Sequence, residues 1–323
     1  MNFTPIDGKN LVEGFCLVKT VDVKTSSKGD TYLDMTLSDS QGEINAKLWG
    51  YQEALHGSYE VNTLVKVRGT LSVYNGNDQL RIERIRKVSE SDGIRVEDYV
   101  KSAGYDTQEM YAALHTMAEQ FEDRELSRLV LAILDERRIP LLYWPAAFRL
   151  HHAVRGGLLL HTLSIVRMCE AVCREYSFVN RELLCSGAIL HDIAKIEEFV
   201  VAPTGIASGY SVKGNLIGHL AEGAMVIRKA ARENGISEET SMLLEHMVLS
   251  HHGEPEYGAA VRPMFIEAEI LSELDLMDAR IYEMKEAVSA VQPGEFTNKI
   301  WSMDNRKLYR HEKEDLERGT VLF

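Results

Sequence analysis

Between residues 11 and 88 the chain alternates apolar and polar residues in short runs. Beyond residue 107 the spacing changes to that of a helix. In TYLDMTLSD, Leu33, Met35 and Leu37 fall on one side and Tyr32, Asp34 and Thr36 on the other, the period of a half-buried strand. EINAKLWG turns Ile44, Ala46 and Leu48 inward and Lys47 and Trp49 outward. TLVKVRGTLSVY turns Val65, Val67, Leu71 and Val73 inward and Lys66, Arg68 and Tyr74 outward. QLRIERIRKV turns Leu80 and Ile82 inward and Arg81 outward. With EGFCLVKTVDV ahead of them and the turns SSKGD, SQG and NGND between them, five strands are expected, enough for a small barrel.

From residue 107 seven segments repeat apolar residues at i, i+3, i+4 and i+7. They are TQEMYAALHTMAEQFED, ELSRLVLAILDERR, GLLLHTLSIVRMCEAVCREY, RELLCSGAILHDIAK, LIGHLAEGAMVIRKAARENG, SEETSMLLEHMVLSHHG and PMFIEAEILSELDLMDARIYEMKEAVSAV. The expected fold class is multi-domain: an all-β barrel over 1–90, a linker over 91–106, an all-α bundle over 107–292 and a tail over 293–323. VVAPTGIASGYSVKG, rich in Gly and Ser, is expected to be a loop over whatever site the helices build. The strand order and turns resemble an OB-fold of the tRNA-anticodon-binding type.

Composition narrows the function. The chain has 323 residues, 45% hydrophobic and 26% charged, with no apolar run of about 18 residues to span a membrane. The start, MNFTPIDGKN, has neither the basic nor the apolar region of a signal peptide. Four cysteines make no disulfide framework, so a cytoplasmic protein is expected. A net charge of −13 argues against a non-specific nucleic-acid coat, but that charge is uneven. Residues 1–90 hold 11 Lys and Arg against 12 Asp and Glu, and the rest hold 25 against 37. On the barrel, Tyr32, Lys47, Trp49, Lys66, Arg68, Tyr74 and Arg81 interleave rings and cations on the outward face. Bases stack on rings and phosphates meet cations, so this pattern suits single-stranded nucleic acid. Solvated cations and rings packed on the second domain are the other reading.

Ten of the eleven histidines lie beyond the barrel. His161 stands in GGLLLHT, His191-Asp192 in GAILHDIAK, His219 in LIGH and His251-His252 in VLSHHG, with Asp275 and Asp278 in ELDLMDAR. These are comparable places on successive helices of a bundle, where inward ligands converge. Burying so many imidazoles and carboxylates without partners would cost about 1–3 kcal/mol per group, and a metal supplies the partner. Nitrogen and oxygen donors suit Mn²⁺, Fe²⁺, Co²⁺ or Ni²⁺ better than a thiolate zinc site. Asp278 reads equally as a group orienting a ligand or as a surface acid. His151 and His152 read as pocket lining or a phosphate contact. His115, His246 and His311 carry no assigned role.

The order His … His-Asp … His … His … Asp, with Lys195 at HDxxK, resembles the HD-domain metal-dependent phosphohydrolases. That resemblance implies one ion on His161, His191, Asp192 and Asp275. Asp192 would bridge to a second ion on His219 and His251, with His252 a further ligand or a substrate contact. Two such ions would attract a phosphate and acidify a bridging water, whose hydroxide attacks phosphorus in line. Lys195 would reach a phosphate oxygen, or else be a solvated lysine at a helix end.

Barrel and HD bundle together resemble the YhaM family of 3′→5′ exoribonucleases. The resemblance rests on HHAVRGGLLLHTLSIVRMCE, GAILHDIAKI, LIGH, LSHHGEPEYGAAVRPMFIEAEIL and FTNKIWSMDNRKLYR. Where the family often reads ADNLDA this chain reads ELDLMDA, with both aspartates kept. The resemblance implies single-stranded RNA as substrate, with single-stranded DNA left open beside it, nucleoside 5′-monophosphates as products, and Mn²⁺ or Co²⁺ as cofactor. Two rivals stand beside it. One is an HD hydrolase of nucleotides or cyclic dinucleotides with a regulatory barrel. The other is a nucleic-acid binder with a structural metal. The sequence leaves a homo-oligomer open.

Overall fold

The computed structural model describes residues 1–6, 10–74, 76–148, 152–313, 315 and 316, apart from the Tyr257 side chain. The alternating segments form five strands: β1 (Leu11–Thr25), β2 (Thr31–Asp39), β3 (Gly42–Trp49), β4 (Leu64–Tyr74) and β5 (Asn77–Lys87). They pair in the order β1-β2-β3-β5-β4, and β4 returns to β1 from Leu11↔Thr70 to Leu17↔Leu64. That last pairing closes the barrel and removes its free edges. Only β3 and β5 run parallel among these five. Leu33, Met35, Leu37, Ile44, Ala46, Leu48, Val65, Val67, Leu80 and Ile82 fill the interior as the alternation requires.

One departure corrects the strand reading, and a second breaks the alternation beyond Ile82. Val73, expected inside, is 71% exposed. It pairs with Asp78 near the end of the β4–β5 hairpin, beyond the reach of the core. On β5 the phase reverses, because Ile82 faces Gly69 and Arg84 faces Arg68, leaving Glu83 as an extra residue. This is a β-bulge. A Cβ on Gly69 would lie 2.3 Å from the Arg81 carbonyl oxygen, so the close approach requires glycine. Beyond the bulge Ile85 packs on the core, while Arg84 and Arg86 are exposed.

The segment 91–106, expected as a linker, is packed over much of its length. Ile94, Val96, Tyr99 and Val100 lie against Leu17 and Leu64. A few apolar residues spaced through a polar run hold it down, and the compact barrel unit consists of 1–102 with 201–208.

The second unit, 103–200 with 209–323, is helical. Its main helices are α1 (Thr107–Glu119), α2 (Arg124–Glu136), α3 (Gly157–Glu175), α4 (Arg181–Leu190), α5 (Gly218–Glu233), α6 (Glu238–Ser250) and α7 (Ile266–Ser289). Asp106, Asp123, Asn180 and Ser237 cap α1, α2, α4 and α6 by accepting from first-turn N–H groups. Residues 157–166 of α3 and 183–190 of α4 are buried on every side, as expected of helices at the centre of a bundle. The helical reading of 181–195 was too long. α4 stops at Leu190, and a turn carries His191 and Asp192 into a short helix, Lys195–Glu198. Trp144 Nε1–H anchors that turn by donating to the Lys195 carbonyl (2.8 Å). The expected loop at 200–214 is largely ordered as two short strands, β6 (Phe199–Val201) and β7 (Ala207–Tyr210), followed by a helical turn, Val212–Leu216. The tail begins as packed structure: Phe296 and Ile300 bridge to Tyr309 and Arg306, and Met303 and Leu308 bury with Val288 of α7. No helix among the described residues is long and apolar enough to cross a membrane. All four cysteines are free thiols.

Candidate metal centre

The bundle brings its polar residues to one place. His161 lies one turn into α3, His191 caps the C-terminus of α4, His219 opens α5, His251 caps α6, and Asp275 sits midway along α7. Asp192 is at the middle. Its Oδ2 lies 3.6 Å from His161 Nε2, 3.3 Å from His191 Nε2 and 2.6 Å from Lys195 Nζ. Its Oδ1 lies 3.5 Å from His219 Nε2 and 3.6 Å from His251 Nε2. Asp275 Oδ1 is 3.1 Å from His161 Nε2 and 3.9 Å from His191 Nε2. The ligand atoms of His161, His191 and Asp192 lie within 4.8 Å of one another, as do those of His219, His251 and His252. The two oxygens of one carboxylate thus face two groups of imidazoles.

Each imidazole is fixed from behind. His191 Nδ1–H donates to Ala188 O (2.8 Å) and His251 Nδ1–H to Val248 O (2.8 Å). His219 Nδ1–H donates to Glu198 (3.0 Å) and His161 Nδ1–H to Asp278 (2.8 Å). A carbonyl or carboxylate oxygen only accepts, so the proton belongs on Nδ1 and every Nε2 is turned to the centre. Glu198 is held in turn by a close approach, since a Cβ on Gly214 would meet its carbonyl oxygen at 2.2 Å. Asp278 also accepts from Ser164 and pairs with His152 Nε2 at 3.0 Å.

The charge states suit a cation. Burial raises the Asp192 carboxyl, but Lys195 and His191 outweigh it and hold it well below the usual range. Asp275 is likewise depressed, burial being overcome by its hydrogen bond to His161. Burial, with His252 and His191 beside it, holds His251 neutral. His161 behaves oppositely. Burial lowers it, yet Asp275 and Asp278 hold its pKa up at about 10. Three buried atoms at the centre, Asp192 Oδ1, His219 Nε2 and His251 Nε2, have no hydrogen-bond partner. Such atoms are costly unless something else satisfies them. A divalent ion between them fits the donor set.

A cleft of about 1030 Å³ opens onto the centre. Lys195, His219, His251, His252 and Asp275 line its floor, with Phe199, Tyr210 and Arg262 among its other walls. Tyr210 is half exposed, its ring edge-on to Phe199 at 5.2 Å. Lys195 is buried with its ammonium on Asp192, so the expected phosphate contact is an ion pair in this structure.

His152 is a correction. It was expected to contact substrate, but it is 3% exposed and does not line the cleft. It lies behind Asp278 with its ring 3.9 Å from that of Tyr282. Its φ of 54° is left-handed, an uncommon backbone state for a non-glycine residue. His151 lies outside the described residues. Sequence reasoning also missed Glu198 and Ser164, and left Asp278 open. Their signal is only their spacing from the ligands along the same or the next helix.

On the barrel, the expected face divides. Tyr32 and Trp49 stack at 4.4 Å with their planes 27° apart. Lys47 reaches over both rings, and its backbone pairs with Arg81. Those four form one patch on β2, β3 and β5. Tyr74 is 63% exposed at the end of β4. Lys66 and Arg68 stand elsewhere on β4, opposite β1 and the far half of β5.

Comparison with known proteins agrees with this architecture. Residues 16–88 match the family model of the OB-fold nucleic acid binding domain and residues 158–280 that of the HD domain. The 3′-5′ exoribonuclease YhaM of Listeria welshimeri is 36% identical over 298 residues, which is 92% of this chain and 94% of that protein. The protein of the same name from Bacillus subtilis is 33% identical over 299 residues, 93% of this chain and 94% of that one. Among solved structures, the PriB protein of Ralstonia solanacearum aligns with 25% of this chain and 98% of its own, at 12% identity and a TM-score of 0.22. At such identity over nearly the whole length of the curated relatives, this chain belongs to the YhaM family of 3′-5′ exoribonucleases.

Proposed function

We propose that this protein is a metal-dependent 3′→5′ exoribonuclease that shortens single-stranded RNA to nucleoside 5′-monophosphates. His161, His191, Asp192 and Asp275 would hold one divalent ion. His219 and His251, with the other oxygen of Asp192, would hold a second, and His252 stands beside it. The observation that carries this reading is the set of buried, unpartnered atoms around Asp192. The absence of sulfur among the donors supports Mn²⁺, with Co²⁺, Fe²⁺ and Ni²⁺ as alternatives. When bound, such ions neutralise phosphate charge and make water a nucleophile near neutral pH.

The protein's own groups do the rest. Glu198, Asp278 and the two backbone carbonyls keep the imidazoles aimed. Lys195 adds positive charge at the cleft floor and keeps Asp192 ionised. The cleft has room for the end of a strand. On the barrel, Tyr32 and Trp49 offer rings for bases, and Lys47 and Arg81 offer cations for phosphates, with Tyr74 exposed on the β4–β5 hairpin. The curated relatives' activity supports RNA and the 3′→5′ direction. RNA as substrate points to work in the cytoplasm.

Hydrolysis of a single-stranded RNA, of mononucleotides and of cyclic dinucleotides by Mn²⁺-loaded protein tests this. RNA should be much the fastest. Rapid hydrolysis of the small molecules with RNA left intact would overturn the reading.

A further inference from the structure

The bulge at Glu83 builds a feature that strand alternation would have forbidden. With Leu80 and Ile82 inward, an unbroken strand would point Arg84 and Arg86 into the core. The extra residue turns them out and sets Arg84 directly opposite Arg68 and Arg86 opposite Lys66. Like charges paired across a sheet repel, and two adjacent pairs stand here. Among the described residues, only the Lys66–Arg86 pair has acid partners: Lys66 meets Glu13 at 2.7 Å and Arg86 meets Asp92 at 2.5 and 2.7 Å. Arg68 and Arg84 have no side-chain ion pair among the described residues. A groove of about 470 Å³ runs along these cations, with Glu13 and Glu83 as its acids. Its one ring is the imidazole of His56; no tyrosine, tryptophan or phenylalanine is among its lining residues.

We infer that Lys66, Arg68, Arg84 and Arg86 form a second nucleic-acid contact on the barrel, one that grips the phosphate backbone and reads no base. This rests on the reading of RNA as substrate. The division of chemistry supports it, because the β2–β3 patch has Tyr32 and Trp49 stacked, whereas the one ring among the residues lining this groove, the His56 imidazole, is held against the backbone of Gln52 in its own turn. A polyanion would relieve the repulsion that the bulge creates. The near-neutral balance of residues 1–90 conceals this local concentration of positive charge.

The test is binding by the full chain in chelator, where the strand is not cut. The two probes are a uridine RNA of about 20 nucleotides, longer than one barrel's site, and an abasic strand of the same length. Affinity is followed by fluorescence anisotropy from about 50 to 200 mM salt. Replacing Arg68→Gln together with Arg84→Gln should flatten the slope of log affinity against log salt by about 1.4, two single-strand phosphate contacts. The loss should be equal for both probes. Arg68→Lys with Arg84→Lys should keep the original slope, and the glutamine pair should unfold at no lower temperature than the parent. Trp49→Ala should weaken the uridine strand alone and leave the slope unchanged. An unchanged slope in the glutamine pair, or a loss confined to the uridine strand, would overturn the inference while leaving the nuclease reading intact. Failure of the parent protein to bind either strand would remove the RNA reading itself.

Discussion

The ammonium of Lys195 lies 2.6 Å from Oδ2 of Asp192, the oxygen that also faces His161 and His191. Both groups are buried. Burial lowers the lysine's pKa, but Asp192 more than restores it, so it stays charged. Lys195 therefore supplies compensating charge as well as a face on the cleft. Removing one partner of a buried pair costs about 3–5 kcal/mol. Lys195→Met should unfold at lower temperature than the parent in chelator, and saturating Mn²⁺ should close most of that gap. Thermal unfolding with and without metal checks this; an equal loss in both conditions would contradict it.

Asp278 acts on the centre through His161. Asp278→Asn keeps the shape but weakens the hold on His161 Nδ1. Loss of such an orienting partner typically lowers metal affinity about 10–100-fold. Activity titrated with Mn²⁺ should therefore recover at higher metal in Asp278→Asn and fail to recover in Asp275→Asn. Matching titration curves for the two variants would contradict this division of roles.

Metal uptake should release a proton. In the metal-free protein His161 is held at about 10 against an ordinary 6.5, so it is charged at neutral pH. Its contribution to metal-free stability is full below about 6.5 and is lost as pH rises through about 10. Metal needs a bare Nε2, so the linkage runs the other way, and apparent affinity rises with pH across that window. Calorimetry in buffers of different ionisation enthalpy should find about one proton released from this group per protein. Uptake without proton release would count against His161 as a ligand.

The stacked pair on the barrel should act on binding alone. Base stacking is worth about 1–3 kcal/mol per base, so Trp49→Ala should raise KM for RNA by roughly 5- to 160-fold and leave kcat near the parent value. Steady-state kinetics on a labelled strand measures both. A fall in kcat at constant KM would move Trp49 out of the substrate-holding role.

Particular residues show how far the sequence could be read. The strand phase of β2 and β3 was legible because one face of each is buried and a one-residue slip would expose it. The same rule failed at Val73, where the hairpin outruns the core, and beyond Glu83, where a bulge reverses the phase. Neither event leaves a local mark stronger than Gly69. The centre was legible because histidines recur on otherwise apolar helical faces. Its supports were not. Glu198 and Asp278 matter through the Nδ1 atoms they hold, and only the fold decides which ring nitrogen faces which neighbour. His152 misled because nearness in sequence to His161 suggested the cleft, whereas the turn before α3 places it behind Asp278. The segment 91–106 misled because its polarity outweighed the few apolar residues that pin it.

A nuclease that works through the Asp192 centre should remove nucleotides from the 3′ end. The most direct measurement is a time course on a single-stranded RNA of about 20 nucleotides, enough to engage an OB-type barrel. The strand carries a 5′ label and is resolved on a denaturing gel with Mn²⁺, with chelator and with Asp192→Ala. A ladder that shortens steadily from the 3′ end with Mn²⁺, and is absent in the other two lanes, is the expected result. A strand left intact by metal-loaded protein, or a ladder that persists in Asp192→Ala, would contradict it.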